Sequence, residues 1–123
     1  MKCKLLIVDD EIKMLKYTAK RLAARGYDVD TASSGEEALE LMKNTLFEVV
    51  LLDVLMPTMG GIETLREIKK IAPHTAVILV SGHNSATLCA DGKKWGAFDY
   101  LLKPYDLDAL LGKIDMAIQP NNE

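Results

Sequence analysis

Two hydrophobic patterns alternate along the chain. Uninterrupted apolar runs, Leu5-Leu6-Ile7-Val8, Val49-Val50-Leu51-Leu52 and Val77-Ile78-Leu79-Val80, are separated by longer stretches in which apolar residues recur every three or four positions. A strand with one wet face alternates apolar and polar residues. A continuous run therefore implies burial on both faces, as in a parallel sheet covered by helices. The first helical stretch carries Ile12, Leu15, Ala19 and Leu22 on one stripe and stops at Gly26, which suits a left-handed C-terminal cap. A strand is expected over residues 27–32. Ser33-Ser34-Gly35-Glu36-Glu37 then offers a capping box, with Ser34 as the cap and Glu37 reciprocating, before a second helix to about residue 43.

After the strand at 49–53, Met56-Pro57-Thr58-Met59-Gly60-Gly61 reads as a loop, because proline and paired glycines oppose continuation of either element. Ile62, Leu65 and Ile68 mark a third helix. The run at 76–80 leads through Ser81-Gly82-His83-Asn84 into a helix over about 85–95, weakened by Gly92 by on the order of 1 kcal/mol relative to Ala. A fifth strand is expected over 98–102. Asp106 then caps a last helix with the stripe Leu107, Leu110, Leu111, Ile114 and Ile118. Five strand–helix units with right-handed crossovers form an α/β fold, a flavodoxin-like (βα)5 doubly wound five-stranded parallel sheet with helices on both faces. Residues 1–119 form one domain and 120–123 a polar C-terminal tail.

Composition narrows the class. At 123 residues the chain is one domain, with a hydrophobic content of 49% that suits a globular protein. The apolar runs are far shorter than the roughly 20 residues of a membrane span. Met1-Lys2-Cys3-Lys4 leads directly into the first strand, leaving no room for a signal peptide, so a cytoplasmic location is expected. A net charge of −3 without a basic cluster argues against direct nucleic-acid binding. Lys69-Lys70 and Lys93-Lys94 read as solvated helix faces. Cys3 and Cys89 have neither metal-ligand nor redox-motif spacing and read as reduced, structural thiols.

The chemistry sits where strands should end: Asp9-Asp10 after the first, Asp53 after the third, Ser81 after the fourth, Lys103-Pro104 after the fifth. Taken singly, the acidic pair reads as a helix cap, Ser81 as a loop serine and Lys103 as a surface lysine. The carboxyl ends of parallel strands share one edge, however, and open α/β sheets bind their ligands there. Converging carboxylates repel one another unless a cation joins them, and hard oxygen ligands with room for water suit Mg²⁺. A divalent cation, an ammonium and a hydroxyl at one rim are equipped to receive a phosphoryl group, with Asp53 as the nucleophile that forms an acyl phosphate.

Four segments in this order resemble the receiver domain of two-component response regulators: Ile7-Val8-Asp9-Asp10-Glu11, Leu52 through Gly61, Val80-Ser81-Gly82 and Gly96 through Pro104. The resemblance covers essentially the whole chain. It implies a phosphorylation-operated switch of a phosphorelay that catalyses only its own phosphorylation and dephosphorylation. Asp53 matches the phospho-acceptor, Asp10 the direct metal ligand, Asp9 the acidic partner acting through water, and Leu55 a backbone carbonyl ligand. Ser81 matches the hydroxyl that bonds the phosphoryl oxygen, Lys103 the cation that follows the phosphate, and Tyr100 the aromatic that turns inward with it. The Lys103–Pro104 bond would be cis. Implied partners are a sensor histidine kinase or phosphotransfer protein, and an output domain or effector reached through the fourth helix, fifth strand and fifth helix, with a phosphorylation-dependent homodimer as a further expectation. Phosphatases of the haloacid-dehalogenase type also use an aspartyl nucleophile, but they place a second Asp where this chain has Leu55. That apolar residue, with His83 across the mouth, implies slow loss of the phosphoryl group. Gly60, where an acidic residue is frequent, implies a looser loop, and Ser81 in place of threonine a looser switch.

Overall fold

The computed structural model describes residues 3–54, 60–82 and 86–118, the side chains of 86–89 excepted. The elements run β1 (Lys4–Val8), α1 (Ile12–Ala24), β2 (Asp28–Ala32), α2 (Gly35–Met42), β3 (Val49–Asp53), α3 (Gly61–Ile71), β4 (Ala76–Ser81), α4 (Ala86–Lys94), β5 (Asp99–Leu102) and α5 (Leu107–Ala117). All strand pairs are parallel, in the order β2-β1-β3-β4-β5. The expected doubly wound sheet is thus the observed one.

The uninterrupted apolar runs are explained by the division of the core. Successive strand residues point to opposite faces. Leu6, Val8, Val50, Leu52, Val77 and Leu79 pack on one side with Ala38 and Met42 of α2 and Leu65 and Ile68 of α3. Leu5, Ile7, Val49, Leu51, Ile78 and Val80 pack on the other with Leu15 and Leu22 of α1 and Leu110 and Ile114 of α5. Every second residue serves one face, and neither face is wet. β2 lies at an edge, which is why its middle residues are only partly buried and Asp28 and Asp30 can bind Lys4.

Helix boundaries follow local chemistry. Gly26 has φ +96, the left-handed conformation expected of it after α1. Ser34 Oγ accepts from Glu37 N–H at 3.1 Å, but Glu37 reaches back to the N–H and hydroxyl of Ser33, one residue earlier than a standard box. Asp106 Oδ1 accepts from Ala109 N–H at 2.8 Å, capping α5 as expected.

Three details depart from the sequence expectations. Ile12 is exposed and Thr18 buried, so the inward stripe of α1 is rotated from the one read off its apolar residues. Gly61 belongs to α3 rather than to the preceding loop. Lys69 is no solvated lysine: its Nζ donates to the carbonyls of Pro73 and Thr75 at 3.0 and 2.8 Å, and burial lowers its pKa. Lys93 stays exposed, as expected, and donates to Phe98 O at 2.8 Å, tying the end of α4 to the entry of β5. Residues 56–59 of the predicted loop, His83, the Cys89 side chain and the 120–123 tail lie outside the described residues. Cys3 is a free thiol whose pKa is raised to about 11 by burial and the neighbouring Glu48 carboxylate, so it is protonated and inert at neutral pH.

Candidate functional site

β1 and β3 are adjacent, yet the chain leaves β1 toward β2 on one side and β3 toward β4 on the other. The strand order reverses between them, and a crevice opens at their carboxyl ends. Asp53 is the last residue of β3 and is in register with Val80 of β4. Asp9 and Asp10 directly follow β1. The ladder runs one bond further, from Asp9 N–H to Ala32 O at 3.1 Å, fixing the backbone at the point where the side chain turns into the crevice. Asp9 Oδ1 accepts from Glu11 N–H at 3.0 Å, which sets the orientation of its carboxylate. Asp9 and Asp53 are buried while Asp10 is exposed.

Ligand oxygens of Asp9, Asp10 and Asp53 lie within 4.8 Å of one another. Two buried carboxylates and one exposed one offer hard, oxygen-only donors with an open side for water. That donor set suits a divalent cation of the Mg²⁺ type, which takes one or two carboxylates and keeps several waters.

Lys103 supplies the opposing charge. Its backbone N–H donates to Ser81 O at 2.7 Å, anchoring the end of β5 beside the end of β4. From there its Nζ reaches across the crevice to Asp9 Oδ2 at 3.1 Å and Asp53 Oδ2 at 3.2 Å. Burial alone would disfavour the ammonium. The hydrogen bond to Asp9 and the charges of Asp53 and Asp9 outweigh it, and the Lys103 pKa rises above the ordinary lysine value. Lys103 is therefore a permanent cation shared between two buried acids. The Lys103–Pro104 peptide bond is cis, as expected.

Ser81, the last residue of β4, is fully buried and in register with Leu102 of β5. Tyr100 lies two residues earlier on β5 and packs half-buried against the core layer that contains Leu79. Among the described residues the structure thus gathers Asp9, Asp10, Asp53, Ser81 and Lys103 at one sheet edge, with Tyr100 on the strand that carries Lys103. Leu55, whose carbonyl was expected at the metal, and His83 lie outside the described residues.

One charged group near the site was given no role by sequence reasoning. Glu11 Oε1 stands 3.6 Å from Lys103 Nζ, so a third carboxylate faces the ammonium. Its position directly after the acidic pair is the only signal the sequence carries, and it reads equally well as an ordinary first-turn acid. Gly60, expected to loosen the loop, has φ −63 and ψ 159, a conformation open to any residue, and its carbonyl accepts from both the N–H and the hydroxyl of Thr64 at 2.9 Å.

The chain is similar to a large group of known proteins. It is 39% identical over 114 residues to the transcriptional regulatory protein ZraR of Escherichia coli, an alignment covering 93% of this chain but 26% of ZraR. The chain thus spans about a quarter of the length of the curated relatives it matches. A CheY-like response regulator receiver domain protein from Methanospirillum hungatei superposes with a TM-score of 0.90 at 33% identity, covering 94% of this chain and 92% of the other. The response regulator protein TrrA from Thermotoga maritima, solved in complex with Mg²⁺ and BeF, superposes with a TM-score of 0.85 at 32% identity, covering 96% of this chain and all of the other. Residues 5–115 match the response regulator receiver domain, and with the sheet order and the acidic crevice in agreement, the chain belongs to that family.

Proposed function

We propose that the chain is a phosphorylation-operated signalling switch in which Asp53 accepts a phosphoryl group from a histidine of a sensor kinase or phosphotransfer protein. The supporting observation is Lys103 Nζ bridging Asp9 and Asp53 at 3.1 and 3.2 Å. A carboxylate oxygen of Asp53 forms a bond to phosphorus while the phosphorus–nitrogen bond breaks and the electron pair leaves with the imidazole. Lys103 offsets charge on the transferred group, and the Ser81 hydroxyl bonds one of its oxygens. Asp9, Asp10 and Asp53, with the Leu55 carbonyl, would hold Mg²⁺, which supplies charge neutralisation at the phosphoryl oxygens. The similarity to TrrA in complex with Mg²⁺ and BeF supports that cofactor.

The same residues would carry the output. When Ser81 engages the phosphoryl group, Tyr100 turns further inward, and the surface of α4, β5 and α5 changes for an output domain, an effector or a second copy of the chain. The domain spans 1–119 and turns over no substrate other than its own phosphoryl group. The proposed location is the cytoplasm, and the net charge of −3 accords with no direct nucleic-acid contact by this domain.

Incubation with acetyl phosphate and Mg²⁺, followed by intact-mass and peptide mapping, tests the assignment. One phosphoryl group on Asp53, absent in Asp53→Asn and absent in EDTA, is expected. Labelling that persists in the variant or in EDTA would overturn it.

A further inference from the structure

Three carboxylates face the Lys103 ammonium, and they differ in exposure. The side chains of Asp9 and Asp53 are each 8% exposed, whereas that of Glu11 is 68% exposed. Glu11 therefore marks the solvent side of the ammonium. Its carboxylate makes no cap hydrogen bond to α1, and the contact that orients Asp9 comes from its backbone N–H. The side chain is left with one described partner, Lys103.

We propose that Glu11 is a specificity-determining residue, a fixed negative charge at the mouth that slows phosphorylation of Asp53 by free dianionic phosphoryl donors. This rests on the reading of Asp53 as the acceptor. The effect has two parts of the same sign. Glu11 takes a share of the Lys103 charge that would otherwise be available to the incoming phosphoryl group. It also repels the donor directly, through solvent, over a distance at which screening is incomplete at low salt. A protein donor brings its own contact surface and can offset this repulsion; a small free anion cannot.

The discriminating experiment varies the donor charge. Acetyl phosphate is a dianion near neutral pH and phosphoramidate carries one negative charge fewer. Each transfers phosphorus to an Asp53 oxygen, the first with acetate leaving with the bonding pair, the second with ammonia leaving from an already protonated nitrogen. Initial rates at Asp53 are measured by intact mass at saturating Mg²⁺ for the full chain and for Glu11→Gln, which keeps the backbone N–H to Asp9. With acetyl phosphate at low ionic strength the variant should be about threefold faster, from the Coulomb interaction of one charge with two across several ångströms of water. With phosphoramidate the gain should be clearly smaller, and in about 1 M salt, where the Debye length is near 3 Å, both gains should collapse. Glu11→Asp, which keeps the charge, should stay near wild type with both donors. Equal gains with the two donors, gains that persist in high salt, or no gain at all would overturn the proposal and leave Glu11 with a structural role. Absence of label on Asp53 from both donors would overturn the acceptor reading, and the proposal with it.

Discussion

At Gly61 an added Cβ would lie 2.2 Å from Val54 Cα and 3.0 Å from the Asp53 carbonyl oxygen. Both are backbone atoms that cannot step aside without moving the end of β3, and Gly61 N–H also donates to Val54 O at 3.1 Å. At Gly60, by contrast, an added Cβ meets nothing within 4 Å. Gly61→Ala should lower stability by about 1–3 kcal/mol through overpacking. Gly60→Ala should change it by no more than about 0.5 kcal/mol, a poorer N-cap offsetting the reduced freedom of the unfolded chain. Urea unfolding midpoints check both, and equal losses in the two variants would contradict the assignment. Nothing in the local sequence separates these neighbours, because the distinction lies in how closely α3 approaches the end of β3. Lys69 was misread for the same reason. Its ammonium serves the carbonyls of Pro73 and Thr75, and its stem lies 3.3 Å from where a Cβ on Gly96 would sit.

Among the elements, β5 and α5 carry a tie that belongs to no helix stripe or strand pattern. Lys113 Nζ of α5 bonds Asp99 Oδ2 of β5 at 2.9 Å. Burial by itself would raise the Asp99 pKa. The Lys113 hydrogen bond, the Tyr100 backbone N–H and the charges of Lys113 and Lys93 outweigh it, and the pKa falls below the ordinary 3.8. A carboxyl whose folded pKa is depressed contributes stability above its unfolded value and loses that contribution as pH falls through the folded value. Urea midpoints taken from pH 6 down to pH 3 should therefore fall more steeply in wild type than in Asp99→Asn, the excess appearing below about pH 4. Parallel curves would remove the tie from any account of how α5 is held. All ten elements were legible in sequence, most of them from apolar runs and stripes and α2 from its capping box. The phase of α1 was misjudged because Thr18, rather than Ile12, completes its inward face. That choice depends on where the sheet lies beneath the helix.

For the molecule as a whole, the site was more legible than the packing around it. Asp9, Asp10, Asp53, Ser81 and Lys103 are each the last residue of a strand or follow one directly, so a correct strand assignment and a parallel sheet bring them to one edge. Glu11 escaped because its approach to Lys103 depends on how the fifth strand end meets the first helix, which no spacing reports. The crowding of acids has a consequence for stability that can be measured apart from signalling. Ligand oxygens of three carboxylates lie within 4.8 Å of one another, with Lys103 bound to two of these residues. The metal-free fold therefore carries repulsion that the unfolded chain does not. A divalent cation that binds only the folded state adds about 2.7 kcal/mol at one hundred times its dissociation constant. In a domain of this size that corresponds to a rise in Tm on the order of 10 °C. Asp10→Asn is the informative variant, because Asp10 is exposed and its amide strands no buried partner. Without Mg²⁺ the variant should melt higher than wild type, since one repelling charge is gone; with Mg²⁺ in excess the order should reverse, since wild type alone gains fully from the cation. Melting curves of both proteins with EDTA and across a Mg²⁺ titration provide the check. A wild type unmoved by Mg²⁺, or an Asp10→Asn variant that gains as much as wild type, would show that these three carboxylates do not act together as a cation site.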